Sequence, residues 1–251
     1  MKASIIILKC ITNLHVGNGE ENYNLIDNEV EKDCITQYPT IHSSGIKGAL
    51  REYFKTNNLS NIEEIFGGES VEKESKKQPS PGKIKFLSAD LVAKPARTTA
   101  GENPYYLITT KTMIERFNYL VEEFLEDQKT VRINPKNEKI EKIEIEGIQP
   151  ESVWEWNPAK ESLYQIKEEE FKKIDLPVMA RNKLDNGISK NLWYEEVVPH
   201  ESIFAFPIIA NEKDQETYKY FIDEVKDKVI QFGGNASIGY GLCKVTVLES
   251  R

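Results

Sequence analysis

The stretch His42-Ser43-Ser44-Gly45-Ile46-Lys47-Gly48-Ala49-Leu50-Arg51 opens a helix and places chemistry at its mouth. Ile46 and Leu50 stand four apart, and Tyr53 and Phe54 continue the apolar side, so the spacing predicts a helix over Ser44–Thr56. Ser43 or Ser44 is suited to cap the free N–H groups of the first turn. Those groups and the helix dipole favour an anion. Lys47 lies one turn in, and Arg51 follows four residues later on the same face. Gly45 and Gly48 weaken a helix but permit close backbone approach. The pattern reads as a phosphate seat.

Working outward, Ser4–Ile11 is apolar and β-branched and reads as a buried strand. Ile62–Phe66 reads as a short helix stopped by Gly67-Gly68, Glu69–Gly82 as a mobile loop, and Ile84–Val92 as a strand. Lys94–Tyr106 reads as a loop carrying Arg97. Thr110–Glu126 reads as an amphipathic helix with Met113, Phe117, Leu120, Val121 and Phe124 on its apolar face. Short strands are expected at Thr130–Ile133 and Glu141–Ile148. Val178–Val197 holds Asp185-Asn186-Gly187 between two flanks, a hairpin pattern. Ser202–Ala210 reads as a strand, Glu212–Gln231 as a helix and Ile238–Leu248 as a strand.

Reduced to its long elements, the order is βαββαβ with a large insertion before the third strand. That is an α+β chain in the ferredoxin-like or RRM-like order. Helices would cover one face of an antiparallel sheet, leaving the other face, or the loops around it, to carry RNA. With no repeat and no clear linker, residues 1–251 read as one domain. Its core would span about 3–92 and 200–249, and its insertion about 93–199, including the hairpin at about 178–197.

Composition bounds the class. The 251 residues are 39% hydrophobic and 29% charged, enough for a sizeable core. No apolar run approaches the roughly 20 residues of a membrane span. Met1–Leu8 is too short for a signal peptide. Cys10, Cys34 and Cys243 are scattered and odd in number, which excludes a disulfide framework or a CxxC zinc site and points to a reducing cytoplasm. The net charge of −8 argues against an independent binder of naked nucleic acid. The acidic residues concentrate in 61–74, 115–127, 138–146 and 168–170, however. A local basic groove remains compatible with a subunit that shares its RNA with neighbours.

The carboxyl end carries Phe232-Gly233-Gly234-Asn235-Ala236-Ser237-Ile238-Gly239-Tyr240-Gly241, read either as a tight connection or as a loop for close backbone approach to a ligand. This loop joins an ordered series of motifs. They are Leu14-His15-Val16-Gly17-Asn18-Gly19, Ile26-Asp27-Asn28, Tyr38–Arg51, Ile65-Phe66-Gly67, Ser88-Ala89-Asp90 with Pro95-Ala96-Arg97, and Leu192-Trp193-Tyr194-Glu195-Glu196. In this order the series resembles the RAMP superfamily of CRISPR-associated RNA-binding proteins, and within it the backbone RAMP subunit of the type III-B (Cmr) effector complex. Residues 127–177 carry little of the likeness. The resemblance implies an RRM-like core and a filament of copies along a guide RNA (crRNA). It implies a β-hairpin thumb that interrupts the guide–target duplex at regular intervals. It also implies an endoribonuclease residue that falls on Asp27.

Asp27 suits that role as a general base for the 2′-hydroxyl, or as one ligand of a divalent metal, Mg or Mn. No organic cofactor is expected. The bland alternative is an Asx-turn with Asn28, and Asp33 is the neighbouring competitor. His15, Glu195 and Glu196 are candidate catalytic support. His15, Ser44, Lys47, Arg51, Arg97, Asn235 and Ser237 are candidate guide-RNA contacts, and Met179 or Leu184 a candidate wedge. Arg51 reads equally as a surface ion-pair partner, and Trp193 as packing at the thumb base. Expected partners are guide RNA, target RNA, copies of the chain and other subunits of the complex, with no membrane. A type III-A backbone subunit and a non-catalytic guide-binding RAMP subunit stand as alternatives.

Overall fold

The computed structural model describes residues 1–19, 25–68, 80–126, 130–138, 140, 142–185 and 188–249, with backbone alone at 184, 185 and 188. In chain order the strands are β1 (Lys2–Cys10), β2 (Thr40–Ile41), β3 (Ile84–Phe86), β4 (Ala89–Ala100), β5 (Tyr105–Thr109), β6 (Asn134–Lys136), β7 (Glu144–Ile145), β8 (Ser152–Trp156), β9 (Glu161–Gln165), β10 (Val178–Asp185), β11 (Ile188–Glu196), β12 (Ile203–Ala210), β13 (Val229–Gln231) and β14 (Leu242–Glu249). The helices are α1 (Ser43–Thr56), α2 (Ile62–Phe66), α3 (Lys111–Phe124), α4 (Glu168–Phe171) and α5 (Gln215–Val225).

β1 is the centre of a mixed α+β fold. It pairs antiparallel with β12 on one side and β14 on the other, and β12 pairs antiparallel with β3 and β4. The sheet continues through β5, β9, β8 and β6; among the described strands the β5–β9 pair alone is parallel. The strands on either side of α1 and α5 therefore lie in the spatial order β14, β1, β12, β3/β4.

The uninterrupted apolar run Ile5–Leu8 has a physical reason, because the sheet is covered on both faces. Ile6, Leu8 and Cys10 point into a core with Ile46, Leu50 and Phe54 of α1 and Phe221, Ile222 and Val225 of α5. Phe54 stacks on Phe221 with ring centres 5.8 Å apart. Ile5 and Ile7 point the other way, onto Ile114, Phe117 and Val121 of α3 and onto Trp156. Phe117 meets Trp156 edge-on at 4.7 Å. Each such aromatic or branched side chain contributes roughly 1.5–3 kcal/mol on burial.

This second core corrects the expectation of helices on one face only. α3 occupies the face that was expected to lie open for RNA, so of that expectation only the surrounding loops remain. Other boundaries also move. Lys94–Tyr106 is not a loop, since β4 runs on to Ala100 and pairs Arg97 with Tyr105. Pro95 is tolerated because β12 leaves β4 after Ala93. The expected Glu212–Gln231 helix ends at Val225, where Asp227 takes φ 59° and β13 follows. β8 and β9, unread in the sequence, supply Trp156 and Leu163 to the second core.

Candidate nucleic-acid interface

Three segments distant in sequence meet at one end of β1. The loop after β1 pairs Leu14 with Val198, just past β11, and Asn28 with Glu195 on β11. The β13–β14 connection docks on the same loop, where Gly234 N donates to His15 O at 2.8 Å and Gly241 N to Asn13 O at 2.8 Å. Gly233 has φ +72°, and a Cβ there would lie 2.3 Å from His15 O. The close approach that this glycine allows is therefore to the chain's own loop. Ser237 stands exposed in the short 3-10 turn of this connection.

Buried polar side chains tie the junction. His15 Nδ1 faces Glu196 O at 2.8 Å, so Nδ1 carries the proton, and Nε2 faces Glu195 Oε1 at 3.7 Å. Glu195 is 4% exposed and accepts from Asn235 Nδ2 at 2.8 Å and from the Arg181 guanidinium at 2.9 Å. Arg181 lies between two rings, 5.9 Å from Trp193 and 5.6 Å from Tyr240. Glu196 accepts from Val30 N at 3.1 Å and pairs with Lys32 at 3.2 Å. Glu195, Glu196 and the His15 ring thus face inward and hold the three segments together. Arg181 was not singled out in the sequence. The signal was the hairpin register, which sets Arg181 opposite Trp193 and diagonal to Glu195.

Asp27 stands at the rim of this junction. Its carboxylate is exposed, and Oδ2 accepts from Tyr194 N on β11 at 2.8 Å. Asp27 N donates back to Tyr194 O at 3.0 Å. Asp27 makes no Asx-turn with Asn28. Among the described residues its second oxygen accepts no bond. The local role falls to Asp33, whose Oδ1 accepts from Ile35 N, Thr36 N and Thr36 Oγ1. Those bonds hold the Asp33 carboxyl below its ordinary value, the Thr36 backbone N–H contributing most.

The hairpin sorts its side chains by face. Val178, Leu192 and Tyr194 are 43%, 53% and 38% exposed on one face, and the backbone of Tyr194 holds Asp27. Met179 is 40% exposed on the face of Arg181 and Trp193. The Leu184 side chain lies outside the described residues, as do 186–187 of the turn.

The helix mouth differs in part from its expected form. The N-cap is His42, without a side-chain cap, and Ser43 N donates instead to Ser88 Oγ at 3.2 Å. Ile46 N is the donor that reaches His42 O, so the N–H groups of Ser44 and Gly45 precede the intrahelical ladder. Ser44 is exposed and Lys47 half-buried beside it. A Cβ on Gly48 would meet nothing within 4 Å, and one on Gly45 only Ile41 Cγ2 at 3.7 Å. Arg51 donates to Phe66 O at 2.9 Å and Gly67 O at 2.5 Å, closing the carboxyl end of α2. These bonds give Arg51 a structural role beside the guide contact expected of it. Ser44, Lys47 and Arg51 nonetheless line one cleft of about 480 Å³ with Gly67 and Gly82. Arg97 is far more open, 82% exposed on β4, with Glu146 Oε1 3.6 Å away.

Among the described residues no three His, Cys, Asp or Glu side chains converge as metal ligands. No helix among them is long and apolar enough to cross a membrane.

Comparison with known proteins gives a consistent result. A sequence model of the RAMP superfamily matches residues 7–244. The chain is 24% identical to the CRISPR system Cmr endoribonuclease Cmr4 of Pyrococcus furiosus, covering 99% of this chain and 97% of that protein. It is 24% identical to the CRISPR system CMR subunit Cmr4 of Saccharolobus solfataricus, covering 96% and 95%. Its fold is similar to that in a cryo-EM structure of type III-B Cmr-beta bound to cognate target RNA, with TM-score 0.75, 18% identity, and 98% and 97% of the two chains covered. It is also similar to crystalline oligomeric Cmr4 from Pyrococcus furiosus, with TM-score 0.70, 19% identity, and 100% and 99% covered.

Proposed function

The chain belongs to the RAMP superfamily, and from that premise we propose that it is a backbone subunit of a type III-B effector complex. It binds guide RNA, stacks with copies of itself and with other subunits, and cuts complementary target RNA at regular intervals in the cytoplasm. The four strands β14, β1, β12 and β3/β4 with α1 and α5 are read as its RRM-like core. The β10–β11 hairpin is its thumb.

The observation that carries the catalytic assignment is the placement of Asp27. It is an exposed carboxylate with one oxygen held by Tyr194 N, while Glu195 and Glu196 are bound inward. Of Asp27, Glu195 and Glu196, Asp27 is the one whose carboxylate is exposed and able to meet RNA. Its second oxygen takes the proton of the target 2′-hydroxyl as the 2′-oxygen attacks the adjacent phosphorus; the bond to the 5′-oxygen breaks, that oxygen leaves with a proton from water, and a 2′,3′-cyclic phosphate remains. Tyr194 N fixes the direction of the carboxylate, and Val178, Leu192 and Tyr194 offer an apolar surface on which a displaced base rests. A divalent cation, Mg or Mn, would have Asp27 as its carboxylate from this chain, with RNA oxygens and water completing it, and would supply charge neutralisation at the phosphate.

Guide binding is assigned to the α1 mouth. Gly45 and Gly48 are exposed; a Cβ on Gly48 would meet nothing within 4 Å, and one on Gly45 would make only ordinary contact with Ile41. A phosphate approaching Ser44, the first-turn N–H groups and Lys47 gives that space a use. His15 and Asn235 act by holding the adjoining loops in place, while Ser237 and Arg97 are open to direct contact.

The test is a complex assembled with guide RNA and offered a labelled complementary target. Regularly spaced cuts are expected, and they disappear with Asp27→Ala while target binding persists. Undiminished cutting by that variant overturns the catalytic assignment.

A further inference from the structure

Lys94 is a buried cation that the proposed function does not use. It points inward from β4, with 4% of its surface exposed. Its ammonium donates to Ile174 O and lies 4.6 Å from the centre of the Phe171 ring. Among the described residues no carboxylate pairs with it, and Asp175, Glu196 and Glu146 act only from a distance. An ammonium taken out of water without a counter-charge is costly to keep. Burial accordingly lowers its pKa to about 8.

Lys94 borders a cavity of about 290 Å³ between residues 32–39, residues 171–176 and Glu196. The other charged groups around it are Lys32, Lys172, Asp175 and Glu196. Glu196 is already satisfied by Lys32 and Val30 N, and Asp175 is exposed to water. With the Lys32–Glu196 pair set aside, the lining holds two ammonium groups, Lys94 and Lys172, against one carboxylate, Asp175.

We propose that this cavity is a phosphate-binding site in which Lys94 is the buried cation and Lys32 a second, movable one. A phosphate supplies the counter-charge that the fold withholds from Lys94. The volume lies at the lower end of small-molecule sites, near 300 Å³, so the cavity accepts a phosphate group and excludes a duplex. Lys32 couples the site to the neighbouring junction. A phosphate that draws Lys32 from Glu196 weakens one of the contacts on the loop that also carries Val30 and Asp27. The proposal stands on the cavity alone and does not depend on the nuclease assignment.

The phosphate can come from a small phosphate monoester or from an RNA phosphodiester, and a labelling experiment distinguishes them. The full chain is pulsed with an amine-acylating reagent near pH 8, and modification is mapped to each lysine. Three additions are compared at matched ionic strength: inorganic phosphate, a short 5′-hydroxyl RNA, and chloride. At phosphate ten times its dissociation constant, mass action slows Lys94 labelling about tenfold, while exposed Lys228 is unchanged. Protection by the RNA without protection by phosphate supports the site and names the phosphodiester source. Absence of protection by both, or equal slowing in chloride, overturns the proposal. As a second readout, phosphate raises the unfolding temperature of the native chain and leaves that of Lys94→Met unmoved. An equal rise in both also overturns it.

Discussion

The backbone N–H of Tyr194 donates to Asp27 Oδ2 at 2.8 Å, across 167 residues of sequence. The carboxylate is thereby fixed to the second strand of the hairpin, and whatever moves that strand moves the carboxylate. Behind it, Glu195 holds the same strand to Arg181 and Asn235. Groups that hold this geometry and groups assigned to meet RNA respond differently to substitution.

Arg181→Ala removes the cation from the buried Glu195 carboxylate and leaves Asn235 as its remaining short partner. Removing one partner of a buried pair costs on the order of 3 kcal/mol. Arg181 is itself about a fifth exposed, so the low end applies. Chemical denaturation should show a lowered midpoint with an unchanged slope. Arg181→Lys, which cannot span the two rings in the same planar way, should recover part of the loss.

Lys47→Ala should leave unfolding unchanged within about 0.5 kcal/mol, because Lys47 is a half-buried surface residue outside the core. Guide RNA affinity should fall, and the slope of log affinity against log salt should drop by about one. Filter binding over a range of salt measures both. An unchanged slope removes the phosphate seat.

Gly48→Ala is predicted to act in opposite directions on folding and binding. The position is helical, exposed and free of neighbours within 4 Å, so alanine should stabilise the isolated chain by up to about 1 kcal/mol. The new methyl group occupies the space assigned to the guide backbone, so guide affinity should fall. A stabilised variant with native affinity would show that no backbone approaches there.

Lys94 gives a pH signature. Its folded pKa of about 8 lies below its ordinary 10.5, so the folded chain gives up this proton first. Below about pH 8 both states hold the proton and the folded state carries the full cost. Between about 8 and 10.5 the unfolded state binds more protons, and this contribution to stability rises with pH. The cost removed is on the order of 3 kcal/mol. Tyr38, Tyr164 and Tyr218, raised by burial to about 12, act oppositely above pH 10. The window to measure is therefore pH 7.5–9.5. Denaturation profiles of the native chain and Lys94→Met should differ most at its acid end, with Lys94→Met the more stable.

The order of long elements and the apolar side of α1 are legible because periodicity is a property of neighbouring residues. The hairpin at Val178–Glu196 is legible for the same reason, from a turn signal between two strand-like flanks. Lys94–Ala100 was misread because Lys, Pro and Arg lie together there, and the sheet overrides their local preference. The sequence by itself determined the order of the long core elements, the loop that carries Asp27 and the glycines at the α1 mouth. Only the tertiary structure decided that α3 closes the second sheet face, that Arg51 caps α2, and that His15, Glu195 and Glu196 bind inward. It also decided that Asp27 is left at the rim. The reason is range. Helix and strand patterns repeat within two to four residues, whereas Asp27 meets Tyr194 and His15 meets Glu196 across 167 and 181, through a sheet order that no local spacing encodes.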